Sequence, residues 1–172
     1  QSEHDELTGL YNKRSLNRYL EDVFEACKLN EKELGILFLD IDYFKQLNDR
    51  YGHGKGDEGI CAVADTLKRI FPEDYVARYG GDEFLVVMPE RDLTYAMEHA
   101  ELLCAGIREC KIPNEDSEVE PWLTISIGGV CAIPKEPNRV WDFLSAADYT
   151  LYEQKKEQKG KVRFYQGKGK YL

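Results

Sequence analysis

Three carboxylates and two glycines stand in two short stretches of this chain, each next to an apolar segment. Asp40 follows a strongly apolar run, and Gly80-Gly81-Asp82-Glu83 separates two β-prone segments. Hard divalent cations prefer carboxylate oxygens as ligands. Glycines, which have no side chain, let a phosphate approach the backbone closely. If the two stretches meet, these residue types indicate phosphate chemistry supported by divalent cations.

The segments around these residues predict a sheet with a hairpin. Residues 75–79 and 84–88 are β-prone, and Gly80-Gly81 is expected to supply the positive φ angles of a tight turn of the primed type. The apolar run 34–41 predicts a buried central strand. Further strands are predicted at 123–131 and, as an edge strand, at 161–165.

Apolar residues that recur at intervals of three and four predict the helices. These helices are expected over residues 13–28, 43–50, 57–70, 94–109 and 140–156. A first strand that crosses over helices to pair centrally, followed by a hairpin, is typical of the ferredoxin-like palm. The fold class is therefore α/β (α+β), with a central, mostly antiparallel sheet and helices around it. This topology would bring Asp40 and Asp82 together at one edge of the sheet.

Composition is that of one globular domain. The chain has 172 residues, of which 42% are hydrophobic and 32% charged, so a single core needs neither disulfides nor a structural metal. A net charge of −9 disfavours a nucleic-acid surface, since phosphate contacts need a basic face. No apolar run approaches the roughly 20 residues that span a bilayer, so we expect no direct membrane contact. Five cysteines without a CxxC pair favour a reduced, cytoplasmic setting.

Four motifs in a fixed order carry a resemblance to a known family. They are residues 5–14 (DELTGLYNKR), 39–49 (LDIDYFKQLND), 52–57 (GHGKGD) and 78–84 (RYGGDEF), and residues 126–128 and 147–155 continue the match. The chain resembles the GGDEF domain, the diguanylate cyclase family. The resemblance covers the chain from Asp5 to the last predicted strand. It implies one catalytic domain over 1–172 with a palm of the nucleotidyl cyclase type.

The first residue is Gln1 and not methionine, and the first motif already begins at Asp5. We expect this chain to be part of a longer signalling protein. By resemblance, such domains usually follow a sensor or receiver domain, which would regulate this one. The parent protein could be anchored in a membrane while this domain stays in the cytoplasm.

The resemblance implies two divalent cations per active site, Mg²⁺ or Mn²⁺. Matching positions assign Asp40, the Ile41 carbonyl, Asp82 and Glu83 as ligands. Two cations about 4 Å apart would neutralise the α-phosphate and activate a ribose hydroxyl. Either Asp82 or Glu83 is expected to help deprotonate that 3′-hydroxyl, because coupled titrations leave the base unassigned. Asp42 should point to the opposite face of its strand, so we interpret it as a helix N-cap and exclude it from the metal set.

The resemblance also implies GTP as substrate. An Asp that accepts two donors and an Asn that donates to O6 match the edge of guanine, and Asp57 and Asn48 are that pair. The structural alternative is two helix caps. Lys45, together with helix N-terminal amides, is expected to hold the β- and γ-phosphates and so to take part in catalysis. The substrate-binding positions predicted are Phe44, Lys45, Asn48, His53, Asp57, Gly80, Gly81, Lys155 and Lys159.

The sequence departs from the family pattern at two places. In the last helix Lys155 matches the first phosphate-binding position, but Gly160-Lys161 resembles the element that follows with an insertion, so the second position is Lys159 or Lys161. At the family's product-inhibition site the arginine is replaced by Phe71, while Asp74 is present. A phenylalanine cannot replace the bidentate guanidinium contacts, so we predict no high-affinity feedback by cyclic di-GMP there.

The leading prediction is a diguanylate cyclase that condenses two GTP into cyclic di-GMP and two pyrophosphates. Because two nucleotides must join head to tail, two domains have to face each other, and a transient or regulated homodimer is expected. The alternative is a GTP-binding regulatory module without turnover. A ferredoxin-like RNA binder is disfavoured by the charge balance. By resemblance, Asp5 and Arg78 are expected to pair and brace the N-terminal turn against the hairpin.

Overall fold

One five-stranded sheet with helices on both faces makes up the fold, in a computed structural model that describes residues 2–167 and 172. In chain order the elements are α1 (Lys13–Asn30), β1 (Leu34–Ile41), α2 (Phe44–Tyr51), α3 (His53–Ile70), β2 (Tyr75–Arg78), β3 (Glu83–Pro89), α4 (Leu93–Glu109), β4 (Ile125–Ala132), α5 (Val140–Glu157) and β5 (Val162–Phe164). The strand order is β2-β3-β1-β4-β5. All pairs are antiparallel except β4 with the edge strand β5. The predicted palm is confirmed.

Strand β1 is central and has a buried side on both faces, which explains its nearly continuous apolar sequence. Leu37 and Leu39 belong to the core under α3 and α4. Ile36 and Phe38 belong to the second core, under α1 and α5. Alternation along the strand therefore aims residue 40, like residues 36 and 38, toward the α5 side.

Helix α3 begins four residues earlier than predicted. Gly52, at φ +89°, ends α2 and is the N-cap of α3, so the chain turns within one residue. The apolar periodicity starts only later in α3, which is why its first turn was missed. His53 is consequently the first residue of a helix and not part of a loop. The cap predicted for α4 is confirmed, since Asp92 accepts the Tyr95 amide at 2.8 Å.

The hairpin between β2 and β3 differs from the predicted primed turn. Positive φ angles among the described glycines occur at 9, 52, 160 and 167, and not at Gly80 or Gly81. Four residues, 79–82, separate the strands, and the amides of Tyr79 and Gly80 both donate to the Glu83 carbonyl at 2.8 and 3.3 Å. A loop of this length does not need two positive φ angles. A Cβ on Gly81 would meet nothing within 4 Å, so the tip is open.

Within residues 2–167 and 172, no helix is long and apolar enough to cross a membrane.

Candidate active site

The carboxylates singled out in the sequence meet at one end of the sheet. Asp40 and Glu83 are directly paired across β1 and β3. The Ile41 amide donates to the Asp82 carbonyl at 3.3 Å, which holds the hairpin tip beside the end of β1. The antiparallel register, and not proximity in sequence, brings these groups together.

Burial and mutual repulsion dominate the electrostatics of these groups. Burial raises the pKa of Asp82, and the charge of Asp40 raises it further. The pKa of Glu83 is raised by burial and then by its two carboxylate neighbours. For Asp40 burial raises the pKa although a hydrogen bond and the charge of Lys155 oppose the shift. These partly desolvated acids favour a compensating cation.

Lys155 is the cation that the structure places against Asp40. Its Nζ lies 2.6 Å from Asp40 Oδ2, and the Asp40 side chain is 13% exposed. The other oxygen, Asp40 Oδ1, is buried and has no hydrogen-bond partner among the described residues. Within that part of the chain no three His, Cys, Asp or Glu side chains already form a metal cage. The oxygen-only donor set and the unsatisfied oxygen fit a hard divalent ion.

A hollow of about 450 Å³ lies between this end of the sheet and the start of α2, and we call it the α2 hollow. The N-terminal end of α2 faces it through Tyr43, which has a left-handed φ of 54°. It contains most of the predicted substrate-binding residues. Its lining comprises Asp40, Ile41, Tyr43, Phe44, Lys45, Gln46, Asn48, Asp49, His53, Asp82, Lys155 and Lys159.

The predicted guanine pair is only partly assembled. Asn48 lines the α2 hollow, and its Oδ1 is buried with no hydrogen-bond partner among the described residues. A Cβ on Gly56 would lie 1.8 Å from that oxygen, so glycine is required there for the packing of Asn48. Asp57 is exposed on α3, one turn after His53. Neither residue caps a helix, which removes the structural alternative.

Lys45 and Lys159 both line the α2 hollow. Lys45 is 82% exposed and pairs with Asp49 at 2.8 Å, so its ammonium is within reach of solvent and ligand alike. Lys159 Nζ lies 4.2 Å from the centre of the Tyr43 ring. Lys161 is exposed, and its carbonyl accepts the Ile127 amide within the sheet. Of the two lysines left open by the sequence, the structure places Lys159 at the hollow.

A second hollow, of about 380 Å³, shares Asp40 and Lys155 with the α2 hollow and lies against α5. We call it the α5 hollow. Sequence reasoning assigned a role only to Lys155 of its helical wall, although residues 148 and 152 recur with it at the spacing of one helix face. Its lining comprises Asp40, Glu83, Ser145, Asp148, Tyr149, Leu151, Tyr152 and Lys155.

Asp42 is not the helix N-cap that the sequence predicted. The cap of α2 is Tyr43, and it makes no side-chain cap bond. The Asp42 carboxylate instead accepts Thr124 Oγ1 at 2.7 Å and Ser126 Oγ at 2.5 Å, and the residue is 2% exposed. Burial raises the pKa of Asp42, and the hydrogen bonds from the two hydroxyls oppose that shift. Residues two apart on a strand share a face, so alternation does not give the opposite face that the sequence analysis expected. The exclusion of Asp42 from the carboxylate cluster instead agrees with these two hydroxyls, which engage both of its oxygens.

Ser126 links Asp42 to the turn after α5. Its hydroxyl donates to Asp42 and accepts the Gly160 amide at 2.9 Å. The Gly160 carbonyl accepts Arg108 Nη2 at 2.8 Å. Gly160 has φ +80°, and a Cβ there would meet Val119 at 2.7 Å. Hydrogen bonds to the amide and to the carbonyl of Gly160 therefore fix the turn that follows Lys159.

The predicted brace between the N-terminal turn and the hairpin is present. Arg78 Nη1 donates to both Asp5 oxygens at 3.2 Å. The same guanidinium donates to the carbonyls of Gly80 and Gly81, the latter at 2.8 Å from Nη2. Asp5 also accepts the Thr8 amide and hydroxyl. The Arg78 side chain thus holds both carbonyls of the hairpin tip and connects them to Asp5.

The position of the family's product-inhibition site is occupied by the protein's own contacts. Phe71 is 1% exposed and belongs to the core. The Asp74 side chain, also 1% exposed, accepts Arg91 Nε at 3.3 Å and the Tyr95 hydroxyl at 2.5 Å. Both carboxylate oxygens are engaged, which supports the prediction that product does not bind tightly there.

The chain is similar to known proteins over nearly its whole length. Residues 2–161 match the family described as "Diguanylate cyclase, GGDEF domain". The probable diguanylate cyclase DgcC of Escherichia coli K12 is 32% identical over 157 residues, which is 90% of this chain and 41% of that protein. The cyclic di-GMP phosphodiesterase NbdA of Pseudomonas aeruginosa is 31% identical over 163 residues, 94% of this chain and 20% of that protein.

Solved structures give the same result. The GGDEF domain of DgcB from Caulobacter crescentus, in complex with c-di-GMP, superimposes with a TM-score of 0.88 at 25% identity, covering 97% of this chain and 98% of that one. The chain spans about two fifths of DgcC, so it corresponds to one part of that relative. The match in sequence over nearly its whole length, joined to the palm and its carboxylate-bearing hairpin, shows that this chain belongs to the GGDEF domain family of diguanylate cyclases.

Proposed function

We propose that this domain is a diguanylate cyclase, which condenses two GTP molecules into cyclic di-GMP and two pyrophosphates. The observation that carries the proposal is the set of three desolvated carboxylates with an unsatisfied oxygen on Asp40, beside a hollow that also holds Lys45 and Lys159. Carboxylates to hold cations and lysines to hold a polyphosphate are what phosphoryl transfer requires.

The residues that would hold Mg²⁺ or Mn²⁺ are Asp40, the Ile41 carbonyl, Asp82 and Glu83. When bound, two such ions would supply charge neutralisation at the α-phosphate and would acidify the attacking hydroxyl. Burial and the neighbouring carboxylates raise the pKa of both Asp82 and Glu83, which makes each of them a stronger base than a solvent-exposed carboxylate. The structure does not distinguish between the two as the base, and both keep that role in the proposal.

The α2 hollow is the proposed GTP site. Lys45, Lys155 and Lys159 would bind the phosphates, and binding would move Lys155 from Asp40 to a phosphate oxygen. Asn48 and Asp57 would select guanine, and Asn48 lines the hollow with an Oδ1 that has no hydrogen-bond partner among the described residues. Phe44 and His53 would form the wall of the hollow. Gly80 and Gly81 would leave the hairpin tip open to phosphate, which agrees with the free space at Gly81.

The reaction needs two domains, because each product molecule contains two nucleotides joined head to tail. We therefore propose a regulated homodimer in a longer cytoplasmic signalling protein with an upstream regulatory domain. GTP and reduced cysteines both fit a cytoplasmic location, and all five cysteines are free thiols.

Product analysis tests this proposal. The domain, alone and fused to a dimerising coiled coil, is incubated with GTP and Mg²⁺ and the nucleotides are separated. We expect cyclic di-GMP, faster from the fused form, and none from Asp82→Ala. Asp65→Ala is the control and should keep the wild-type rate, because Asp65 is an exposed carboxylate on α3 that lies outside both hollows. Absence of product from the fused wild type would refute the cyclase.

A GTP-binding module without turnover is the second candidate. The observation in its favour is that a matching segment also occurs within a relative named as a phosphodiesterase, so such domains accompany other activities. Binding of GTP by the fused domain without any cyclic di-GMP would select this candidate.

A further inference from the structure

The three lysines at the α2 hollow contact different kinds of partner. Lys45 and Lys155 each pair with an aspartate, at 2.8 and 2.6 Å. The Lys159 ammonium lies over the ring of Tyr43, 4.2 Å from its centre. An aromatic ring attracts an ammonium through its quadrupole but carries no net charge. This contact therefore holds Lys159 without a counter-charge that an incoming phosphate would have to displace.

The backbone of Tyr43 is held in an uncommon conformation. Its φ and ψ are 54° and 39°, in the left-handed region, which bulky residues seldom adopt. Asn114, which is 0% exposed, donates from Nδ2 to the carbonyls of Asp42 and Tyr43, both at 3.4 Å. The Asp42 amide donates to the Thr124 carbonyl at 3.0 Å. A strained residue that its surroundings hold in this way points to a role at a site.

The far end of the Tyr43 side chain is held as well. Its hydroxyl donates to Glu118 Oε2 at 2.9 Å. Glu118 belongs to the segment 112–121, which is attached to α2, since the Tyr51 hydroxyl accepts the Glu115 amide at 3.3 Å. Contacts at both ends of the side chain therefore fix the ring, and its face is turned to the lysine ammonium.

We propose that Tyr43 is a positioning residue whose ring holds the Lys159 ammonium where the terminal phosphates of GTP bind. The two residues also line a hollow of about 290 Å³ with Glu118 and the end of α5, so without the ring the lysine would have a second space to enter. A lysine that is already ordered loses less conformational entropy when it binds a ligand. This inference rests on the proposed function, because it takes the α2 hollow as the GTP site.

Calorimetry on the unfused domain with a non-hydrolysable GTP analogue and Mg²⁺ tests this role. Tyr43→Leu removes the ring and should weaken binding about threefold to tenfold, the effect of one lost cation–π contact. Tyr43→Asn also removes the ring but suits a left-handed backbone, so an equal loss in this variant excludes a backbone effect. Tyr43→Phe keeps the ring and should bind within about twofold of the wild type.

A double-mutant cycle identifies the group through which Tyr43 acts. Tyr43→Leu is combined with Lys159→Met, which keeps a long side chain but removes the charge. If the ring works by holding the ammonium, Tyr43→Leu should change the affinity by less than about twofold once that charge is absent. A purely structural role of the ring would give the same loss in both backgrounds.

Tyr152→Leu is the matched control. Tyr152 is an exposed tyrosine whose ring centre lies 5.3 Å from the Lys156 ammonium, and both residues lie outside the α2 hollow. This variant should leave the affinity unchanged. Thermal unfolding of every variant excludes a folding defect as the cause of a loss.

Three results would overturn the inference while the wild type binds the analogue. The first is an affinity of Tyr43→Leu and Tyr43→Asn equal to that of Tyr152→Leu. The second is a loss in Tyr43→Phe as large as in Tyr43→Leu, which would assign the effect to the hydroxyl. The third is an equal effect of Tyr43→Leu with and without the Lys159 charge.

Failure of the proposed function would look different. If the wild type does not bind the analogue, the α2 hollow is not a GTP site, and this inference fails with it. If the wild type binds but the fused domain makes no cyclic di-GMP, the cyclase is refuted, and the losses in the Tyr43 variants would still support the positioning role.

Discussion

Asp40 and Asp42 stand two residues apart on one chain segment, yet their surroundings are opposite. Asp42 is fully buried and both of its oxygens are satisfied by hydroxyls of the neighbouring strand segment. Asp40 keeps one oxygen without a partner among the described residues and shares the other with a lysine. Asp42 is therefore part of the fold, whereas Asp40 keeps an acceptor oxygen for a bound cation.

The comparison teaches how an acidic cluster is divided into structure and function. Residue type and spacing do not distinguish these two acids, because both are aspartates at the end of a buried strand. The distinguishing quantity is whether the protein itself satisfies the acceptor. The predictions below test that distinction in order of expected effect.

The largest effect is expected for Asp40→Asn. An amide has the same shape but a much weaker affinity for a divalent cation, so the cyclase rate should fall by roughly 1,000-fold or more. Stability should change little, because the loss of the Lys155 pair is offset by relief of repulsion with Asp82 and Glu83. Initial rates of cyclic di-GMP formation and urea denaturation measure both. A variant that keeps a tenth of the rate would contradict the assignment.

For Asp42→Ala we expect the reverse of Asp40→Asn: the main effect should be on the free energy of unfolding and not on the cyclase rate. Two buried hydroxyls lose their charged acceptor, which should cost about 2–4 kcal/mol of the free energy of unfolding. Asp49→Ala is the control, since that exposed acid should change stability by less than about 0.5 kcal/mol. Urea denaturation gives both numbers. Equal stabilities of the two variants would show that Asp42 is not part of the structural framework.

An intermediate effect on binding is expected for Ser126→Ala. Ser126 and Thr124 both donate to Asp42, but only Ser126 also accepts the Gly160 amide. Losing that bond should loosen the turn after Lys159 and weaken binding of a GTP analogue about threefold to tenfold. Thr124→Val removes a comparable bond to Asp42 and should leave that affinity unchanged. Calorimetry on the two variants decides, and identical affinities would refute a positioning role for Ser126.

The smallest effect concerns pH. In the folded domain without bound cations the pKa values of Asp82 and Glu83 lie above their ordinary values of 3.8 and 4.5. Between these ordinary values and the raised ones, the folded state therefore holds more protons than the unfolded chain. The free energy of unfolding falls as the pH rises through this interval and stays lower above it.

Asp82→Asn should remove part of that pH dependence and raise stability at pH 7 by less than about 1 kcal/mol, because solvent screens a half-buried group. Thermal unfolding in a chelator between pH 4 and 8 measures this. A pH profile as steep as that of the wild type would count against repulsion within the cluster.

The architecture was predictable from the sequence because its signals are local. Apolar periodicity marked α1 and α5, and one apolar run marked β1. The burial of Asp42 was not predictable, because alternation places residues two apart on one face and so does not separate Asp42 from Asp40. Its partners Thr124 and Ser126 are about 80 positions away, and only the register of β1 with β4 brings them close.

The same limit applies to the site. The carboxylates and lysines were identifiable from the motifs, but the α5 hollow arises where a helix face meets a distant strand end. The turn at Gly80-Gly81 was mispredicted for another reason. Adjacent glycines usually indicate positive φ angles, whereas neither of these two has one, and Gly81 leaves open space at the tip.

Arg78 has a consequence for how motion can pass through the molecule. Its guanidinium connects Asp5, near the start of the described chain, to the two carbonyls of the hairpin tip. Tyr11 adds a second connection, since its carbonyl accepts the Arg78 amide at 2.9 Å. We therefore expect a displacement of the N-terminal turn to move the loop that carries Asp82 directly, through these hydrogen bonds. The N-terminal turn and the hairpin tip should move together as one rigid unit.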